Sequence, residues 1–397
     1  MPESRAGTCN ICYSLGIKLG YVHGAEEIIL VGLRRVRSSL SRNESVDVLR
    51  KKIDHIDEKI VNLLNHRALQ AQRIGRHKGL SNQEVYVPNR EREILNRLSE
   101  LNRGPLSAAT IRSIYGEVIS ACRSLEAPLR VVFFGAAATY SHLAAKEKFG
   151  SSSELRPTAS IPEVFQEVAQ DRASFGVVPI ENSTEGVVAH TLDCLVESEL
   201  KICGEVFLDI HHTLLSQSGR ADEVRRIVSH PQALAQCRAW LNRHFAEIAV
   251  EEVASTAHAA IAASKDASVA AISSALAKEV YQLASIASNI EDLSNNITRF
   301  VAIGKIHSKP SGGDKTSLVF SAKDKPGVLH KMLQPFAKSR INLSKIESRP
   351  IKNKPWEYLF FLDLLGHSDQ PAVKRAIAGL EKNCVFLKIL GSYPNGR

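Results

Sequence analysis

The sequence predicts a multidomain chain in which an all-α helical block is followed by an α/β block and then by a small α+β block in ferredoxin-like order. Three observations predict this. The 397 residues exceed one typical core, and about 150 residues per domain argues for roughly two to four domains. Apolar residues recur at helical spacing over residues 46–126, then give way after Glu126-Ala127-Pro128 to short β-rich runs alternating with helical patterns. Lastly, Lys309-Pro310-Ser311-Gly312-Gly313-Asp314 is a polar Gly/Pro cluster of the kind that separates domains.

In the first block the periodic positions are Leu49, Ile53, Ile56, Ile60, Leu63 and Leu64, later Ile94 and Leu98, then Ile111, Ile114, Val118 and Ile119. Breaks at 79–88 and 102–105, with Ser107 available as a cap, leave one long helix and two shorter ones. In the second block, 129–134 and 175–179 read as buried strands and 161–171 and 254–264 as helices. The third reads strand 316–321, helix 327–339, strands 343–349 and 356–365, helix 371–382, strand 385–393. The expected domains are 45–127, 128–308 and 315–393. No role is assigned to 1–44, whose Cys9-x-x-Cys12 lacks the second pair or nearby His that a zinc site needs.

A charge of +9 admits nucleic acid, an anionic membrane or small anionic substrates. Aromatics are 6% and no basic run is interleaved with them, which argues against nucleic acid. No stretch approaches the ~20 apolar residues of a spanning helix, so no membrane partner is expected. Acidic metabolites are the expected partners. Seven scattered cysteines fit free thiols in a reducing compartment, hence a cytoplasmic location.

Arg67 and Lys78 are eleven residues apart and return to one helix face, whereas Arg50, seventeen before Arg67, lies about a quarter turn away and suits a neighbouring protomer. The strings Leu49-Arg50-x-x-Ile53-Asp54-x-x-Asp57, Leu63-Leu64-Asn65-x-Arg67, Gly75-Arg76-x-Lys78 and Val85-Tyr86-x-Pro88-x-Arg90-Glu91 resemble the all-helical chorismate mutases. The resemblance implies an intertwined helical dimer. Arg67, Lys78 and Arg90 would hold the two carboxylates of chorismate, with Arg50 of the partner subunit. Glu91 would take the ring hydroxyl. Val87 stands where the family often has Asp, leaving only a backbone contact, and Cys122 where it often has Ser. Chorismate rearranges by a concerted [3,3] shift that needs no nucleophile or metal, only a held conformer and donors at the ether oxygen. Lys78 and Glu126 are the candidate donors. A carboxylate donates only when protonated, and related enzymes often carry Gln at the position of Glu126.

In the second block, Thr139-Tyr140-Ser141-His142, Val178-Pro179-Ile180-Glu181-Asn182-Ser183, Ser229-His230-Pro231-Gln232 and Asn296-Ile297-Thr298-Arg299-Phe300 resemble prephenate dehydratase. The resemblance implies two α/β lobes like those of periplasmic binding proteins, a site in the cleft, and a chain that returns to the first lobe near Thr298. It marks Thr298 as the donor to the departing hydroxide, with Asn182, Ser183, Ser229, Gln236 and Arg299 orienting carboxylates and leaving group. Gln236 rests on its spacing after Ser229. Where the family has Gly-Pro-x-Gly, this chain has Gly135-Ala136-Ala137-Ala138. If that last position needs φ > 0, Ala138 carries a penalty of roughly 1 kcal/mol or more.

Pro326-Gly327-Val328-Leu329 and Glu347-Ser348-Arg349-Pro350 resemble the ACT domain of these enzymes, with Val328 where Ala is usual. Phenylalanine is the implied ligand, taken by Gly327, Val328, Leu329, Glu347, Ser348 and Arg349, the helix N-terminus receiving its carboxylate. The whole resemblance implies a phenylalanine-inhibited enzyme of phenylalanine biosynthesis, without cofactor, acting as a homodimer or higher oligomer. The competing reading is a non-catalytic amino-acid or metabolite sensor with the helical block only dimerising.

Overall fold

The computed structural model describes residues 45–81, 86–322, 325–350 and 358–396, with backbone alone at 78–81. Two compact units, Met1–Asn65 and His66–Arg397, divide within the first helix, α1 (Val46–Ser81). Gly79, expected to break this helix, lies inside it. In the N-terminal unit, Val48, Leu49, Ile53, Ile56 and Ile60 of α1 are exposed, an apolar stripe that water alone does not favour.

In the second unit, α2 (Pro88–Leu101) begins with Pro at its first turn, where the missing N–H costs nothing. Helix α3 (Ala108–Ser124) is capped by Ser107, whose hydroxyl accepts from the Thr110 N–H at 3.1 Å. Thereafter β1 (Arg130–Phe134), β2 (Glu154–Thr158), β3 (Phe175–Asn182), β4 (Gly186–Val187) and β5 (Lys201–Asp209) alternate with helices Tyr140–Phe149, Ile161–Ala169 and Ala189–Glu197. The chain crosses to β6 (Thr213–Ser216), β7 (Arg226–Ser229), β8 (Ala249–Glu252), β9 (Val269–Ser273) and β10 (Ala284–Ser288), then returns with β11 (Ile297–Gly304). Among the described residues the first sheet is ordered β2-β1-β3-β11-β5 with β4 on β3, and the second β10-β6-β9-β7-β8. The return of β11 between β3 and β5 gives two lobes joined by a doubled crossing. It also extends β3 beyond the expected 175–179, because β11 pairs with it from Phe175↔Gly304 to Asn182↔Thr298.

The third sheet is ordered β13-β14-β12-β15, from β12 (Asp314–Ala322), β13 (Leu343–Pro350), β14 (Tyr358–Leu365) and β15 (Phe386–Pro394). Helices Val328–Lys338 and Pro371–Glu381 complete the expected β-α-β-β-α-β order. Trp356, expected to begin the fourth element, lies outside the described residues. Every residue of β12 is buried, because helices cover one face and the first lobe the other. Val319, Phe361, Leu390 and Tyr393 join Ile202 and Val301 in one apolar cluster. Gly391 lies so close to the Ile202 backbone that a Cβ would overlap its carbonyl oxygen.

Candidate active sites

A cavity of about 670 Å³ lies among the C-terminal half of α1, α2 and α3. Its apolar walls include Ile74, Ile94, Leu98 and Ile119, and its charged lining is Arg67, Arg90, Glu91, Arg97, Arg123 and Glu126. Four guanidinium groups face two carboxylates, a surplus of two positive charges that matches a dicarboxylate ligand. Arg67, Arg90, Glu91, Val87, Cys122 and Glu126 are therefore brought together as the sequence suggested. Close approach of α1 and α3 depends on Gly75, where a Cβ would stand 2.9 Å from the Glu126 Cβ and 3.1 Å from its Cα. The Lys78 side chain lies outside the described residues. Arg50 belongs to the N-terminal unit, where it is exposed with Asp47 at 3.4 Å.

Sequence reasoning missed Arg97 and Arg123. Arg97 is seven residues after Arg90, two turns along the same face, and was legible. Arg123 is four residues after Ile119 and so lies on the buried face of α3, an unusual place for an arginine and hence a signal.

The second site is a cleft of about 800 Å³ between the lobes. Thr298 and Asn182 are register partners on β11 and β3. Asn182 Nδ2 donates to Thr298 Oγ1 at 2.8 Å and to Asn296 Oδ1 at 2.7 Å. Asn296 Nδ2 donates to Gln236 Oε1 at 3.2 Å, and that oxygen lies 2.8 Å from His212 Nε2. Burial lowers the His212 pKa, outweighing the raising effect of the Gln236 bond, so the imidazole is neutral near pH 7. With Gln236 Oε1 as acceptor, Nε2 carries the proton. Tyr140 donates to the His211 carbonyl at 2.6 Å, and its phenol is pushed up by burial. Because Thr298 Oγ1 is an acceptor from Asn182, its own O–H remains available to the cleft.

Among the described residues no lysine or arginine lines this cleft. First-turn and capping residues of four helices line it instead: Thr139 to Ser141, Val188, His230 with Gln232, and Ser255 with Thr256. Helix N-termini present N–H groups and partial positive charge, a means of holding carboxylates without guanidinium.

Three expected cleft residues face elsewhere. Arg299 follows Thr298 on a strand, so it projects from the opposite face. There Nε donates to Glu205 at 2.8 Å, Nη1 to Asp363 at 2.6 Å and Nη2 to Tyr393 at 2.9 Å. Ser183 likewise alternates with Asn182 and ties β3 to β11, donating to the Asn295 carbonyl at 3.0 Å and accepting from the Ile297 N–H at 2.9 Å. Ser229 is fully buried and donates to the Ile272 carbonyl at 2.6 Å. Gln236 does line the cleft. His212, Tyr140 and Asn296 were not assigned from sequence. Asn296 was legible two residues before Thr298, on the same face.

Ala138, whose expected penalty depended on its backbone, adopts φ 65°. The loop keeps the left-handed geometry that glycine favours, held by the Ala138 N–H donating to His142 Nδ1 at 3.0 Å and its carbonyl accepting from Ser274 at 2.7 Å.

In the third domain Gly327 caps helix Val328–Lys338 with φ 75° and open space around it. Val328 and Leu329 pack against the domain core. Glu347, Ser348 and Arg349 lie on edge strand β13. Arg349 reaches the dehydratase-like lobe, donating to the Ala189 carbonyl at 2.7 Å and Asp193 at 2.8 Å. Neither motif lines the two cavities described above. His307, His367 and Asp369 cluster closely enough to suggest a metal set, but His367 Nε2 bonds the Ser308 carbonyl and Nδ1 accepts from the Asp369 N–H.

Family models match chorismate mutase type II over residues 49–127, prephenate dehydratase over 131–308 and the ACT domain over 316–382. The bifunctional chorismate mutase/prephenate dehydratase of Aquifex aeolicus is 47% identical over 355 residues, 88% of this chain and 98% of that protein. A solved prephenate dehydratase from Arthrobacter aurescens, in complex with L-Phe, has 32% identity and a TM-score of 0.62, covering 67% of this chain and 90% of that one. A solved protein described as a novel type of quorum-quenching acylase has 30% identity and the same TM-score, covering 66% of this chain and 97% of its own. With a polycationic helical cavity, a Thr298-centred cleft and three matching domain models, the chain belongs to the family of bifunctional chorismate mutase/prephenate dehydratases with a C-terminal ACT domain.

Proposed function

We propose that the helical cavity rearranges chorismate to prephenate and that the interlobe cleft converts prephenate to phenylpyruvate, with phenylalanine acting through the C-terminal domain. Both enzyme activities and the place in phenylalanine biosynthesis are those of the family, and the 47% identity to the Aquifex aeolicus protein extends over both catalytic regions. In the cavity, Arg67 and Arg90, with Lys78, hold the carboxylates that select the reactive conformer, and Glu91 takes the ring hydroxyl. Val87 offers backbone and Cys122 a wall. Lys78 and Glu126 serve the ether oxygen.

The observation that carries the cleft assignment is the direction of hydrogen bonding at Thr298. Asn182 donates to it, which leaves the hydroxyl proton available to a leaving group bound in the cleft. Loss of ring hydroxide and of carbon dioxide together is driven by aromatisation, and a single positioned donor suffices. Asn182, Asn296, Gln236 and His212 hold that donor. Neither reaction requires a metal or cofactor.

The exposed apolar stripe of α1 supports a homodimer, since a second copy would cover it. A cytoplasmic location fits free thiols, and no helix among the described residues is long and apolar enough to cross a membrane. The proposed domains are 45–127, 128–308 and 315–393, after an N-terminal extension.

Adding chorismate to the purified protein tests the assignment: phenylpyruvate should form, and Thr298→Ala should stop its formation by roughly 10²-fold or more while prephenate accumulates at the parental rate. Parallel loss of both activities in a folded variant refutes the separation of sites. Absence of any turnover in the parent favours the sensor reading.

A further inference from the structure

Glu91 on α2 pairs with Arg123 on α3, Nη1 to Oε1 at 2.5 Å. The guanidinium is fixed from its other side. Nη2 donates to the Phe149 carbonyl and, at 3.4 Å, to Ser153 Oγ, and the group lies 5.1 Å from the centroid of the Tyr86 ring. Phe149 is the last residue of helix Tyr140–Phe149, the first helix of the dehydratase region. A cation at a helix C-terminus satisfies an orphan carbonyl and the dipole together.

Neighbouring contacts make this a rigid joint. Ser120, nearly one turn before Arg123, donates to the same Phe149 carbonyl at 3.0 Å. Gly150 approaches α3 so closely that a Cβ would overlap the Ser120 side chain. The Phe149 and Phe175 rings pack on Tyr86 at 5.2 and 5.0 Å between centroids. Only 5% of the Arg123 side chain is exposed, against 22% for Glu91. Arg123 is thus held by the dehydratase region, and Glu91 is held by Arg123.

We infer that Arg123 is a positioning residue of the mutase, aiming the Glu91 carboxylate from an anchor on the terminal carbonyl of the dehydratase helix. The inference rests on Glu91 taking the chorismate ring hydroxyl. It adds that the wall of the mutase site is set by the neighbouring domain. A charge-assisted bond to a buried, multiply bonded guanidinium fixes one carboxylate geometry. A displacement of about 1 Å at a substrate-orienting group is enough to cost roughly 10²-fold in rate.

The test uses the full chain and two separate assays, chorismate consumption and turnover of added prephenate. Arg123→Met should lower mutase kcat by roughly 10- to 100-fold. Dehydratase turnover should stay within about twofold, because its cleft is served by other residues. Arg123→Lys, which keeps the charge but not the fork, should recover part of the mutase rate. The double variant Arg123→Met/Glu91→Ala should be no slower than Glu91→Ala alone, since the arginine acts through the glutamate. Multiplied effects in the double variant would overturn the inference, as would equal loss of both activities. If Arg123→Met does not fold, the same cycle with Arg123→Lys decides. A Glu91→Ala variant with parental mutase activity would refute the reading of Glu91 itself. That outcome is distinct from an impaired Glu91→Ala beside a normal Arg123→Met, which refutes only the positioning role.

Discussion

Ala138 shows how one residue can satisfy a conformation that its chemistry disfavours. Its φ of 65° costs a non-glycine residue about 1–2 kcal/mol. Its methyl group is fully buried, worth about 0.8 kcal/mol, and alanine restricts the unfolded chain by a further ~0.4–1 kcal/mol relative to glycine. These terms nearly cancel. Ala138→Gly should therefore change stability by less than about 1 kcal/mol in urea denaturation, where a buried Ala→Gly in relaxed backbone would be clearly destabilising. His212 is a second case. Burial lowers its pKa below the ordinary 6.5, and burial with the nearby Lys146 does the same for His142. The unfolded chain takes up these protons first on acidification, so the stability they contribute is present above about 6.5 and is lost as pH falls through the folded-state values. His212→Gln removes one such group. Thermal melts between neutral and mildly acid pH should show a smaller fall for that variant than for the parent.

At the scale of elements, most of the pattern was legible because periodicity reports burial directly. The three helices of the first block, the β-α-β-β-α-β order and the Ser107 cap are all present as their residues predict, although the first helix runs past Gly79 to Ser81. Alternation along strands was also available in the sequence. It separates Thr298 from Arg299 and Asn182 from Ser183, so motif adjacency placed on one surface residues that a strand must send to two. Gly75 was less transparent. In an isolated helix Gly→Ala would gain about 1 kcal/mol. Here the added carbon would meet the Glu126 Cα at 3.1 Å, and backbone cannot turn aside as a side chain can. Gly75→Ala should lower both the melting temperature and chorismate turnover while prephenate turnover persists. A variant with raised stability and normal mutase rate would show that α1 and α3 have room to part.

Across the whole molecule, the strand that carries Thr298 into the cleft also carries Arg299 into the third domain. Glu205, with no exposed side-chain surface, accepts from Arg299 and from Lys315 at 2.8 Å, while Asp363 takes the other arm of the guanidinium. Burial opposes the charge on Arg299, but Tyr393, Asp363 and Glu205 overcome it and hold its pKa above the ordinary arginine value. Removing one partner from such a cluster strands the others. Arg299→Met should destabilise the protein by about 3–5 kcal/mol, read as a lowered denaturation midpoint. A midpoint near that of the parent would mean that the cluster is solvated and the domains are joined by apolar packing alone. The motif that sequence reading assigned wholly to substrate is thus divided between the cleft lining and domain docking.

The sequence by itself determined the domain order and the element types, because hydrophobic period and motif spacing are properties of neighbours along the chain. Only tertiary structure decided that His212 joins the Thr298 network, that Arg123 stands between Glu91 and Phe149, and that Arg299 binds Glu205 and Asp363. In each case the partners are far apart in the chain. Nothing local in the sequence encodes which distant carbonyl or carboxylate a buried polar group will meet. That choice belongs to the packing of lobes and domains, where an unpaired buried charge costs too much to remain.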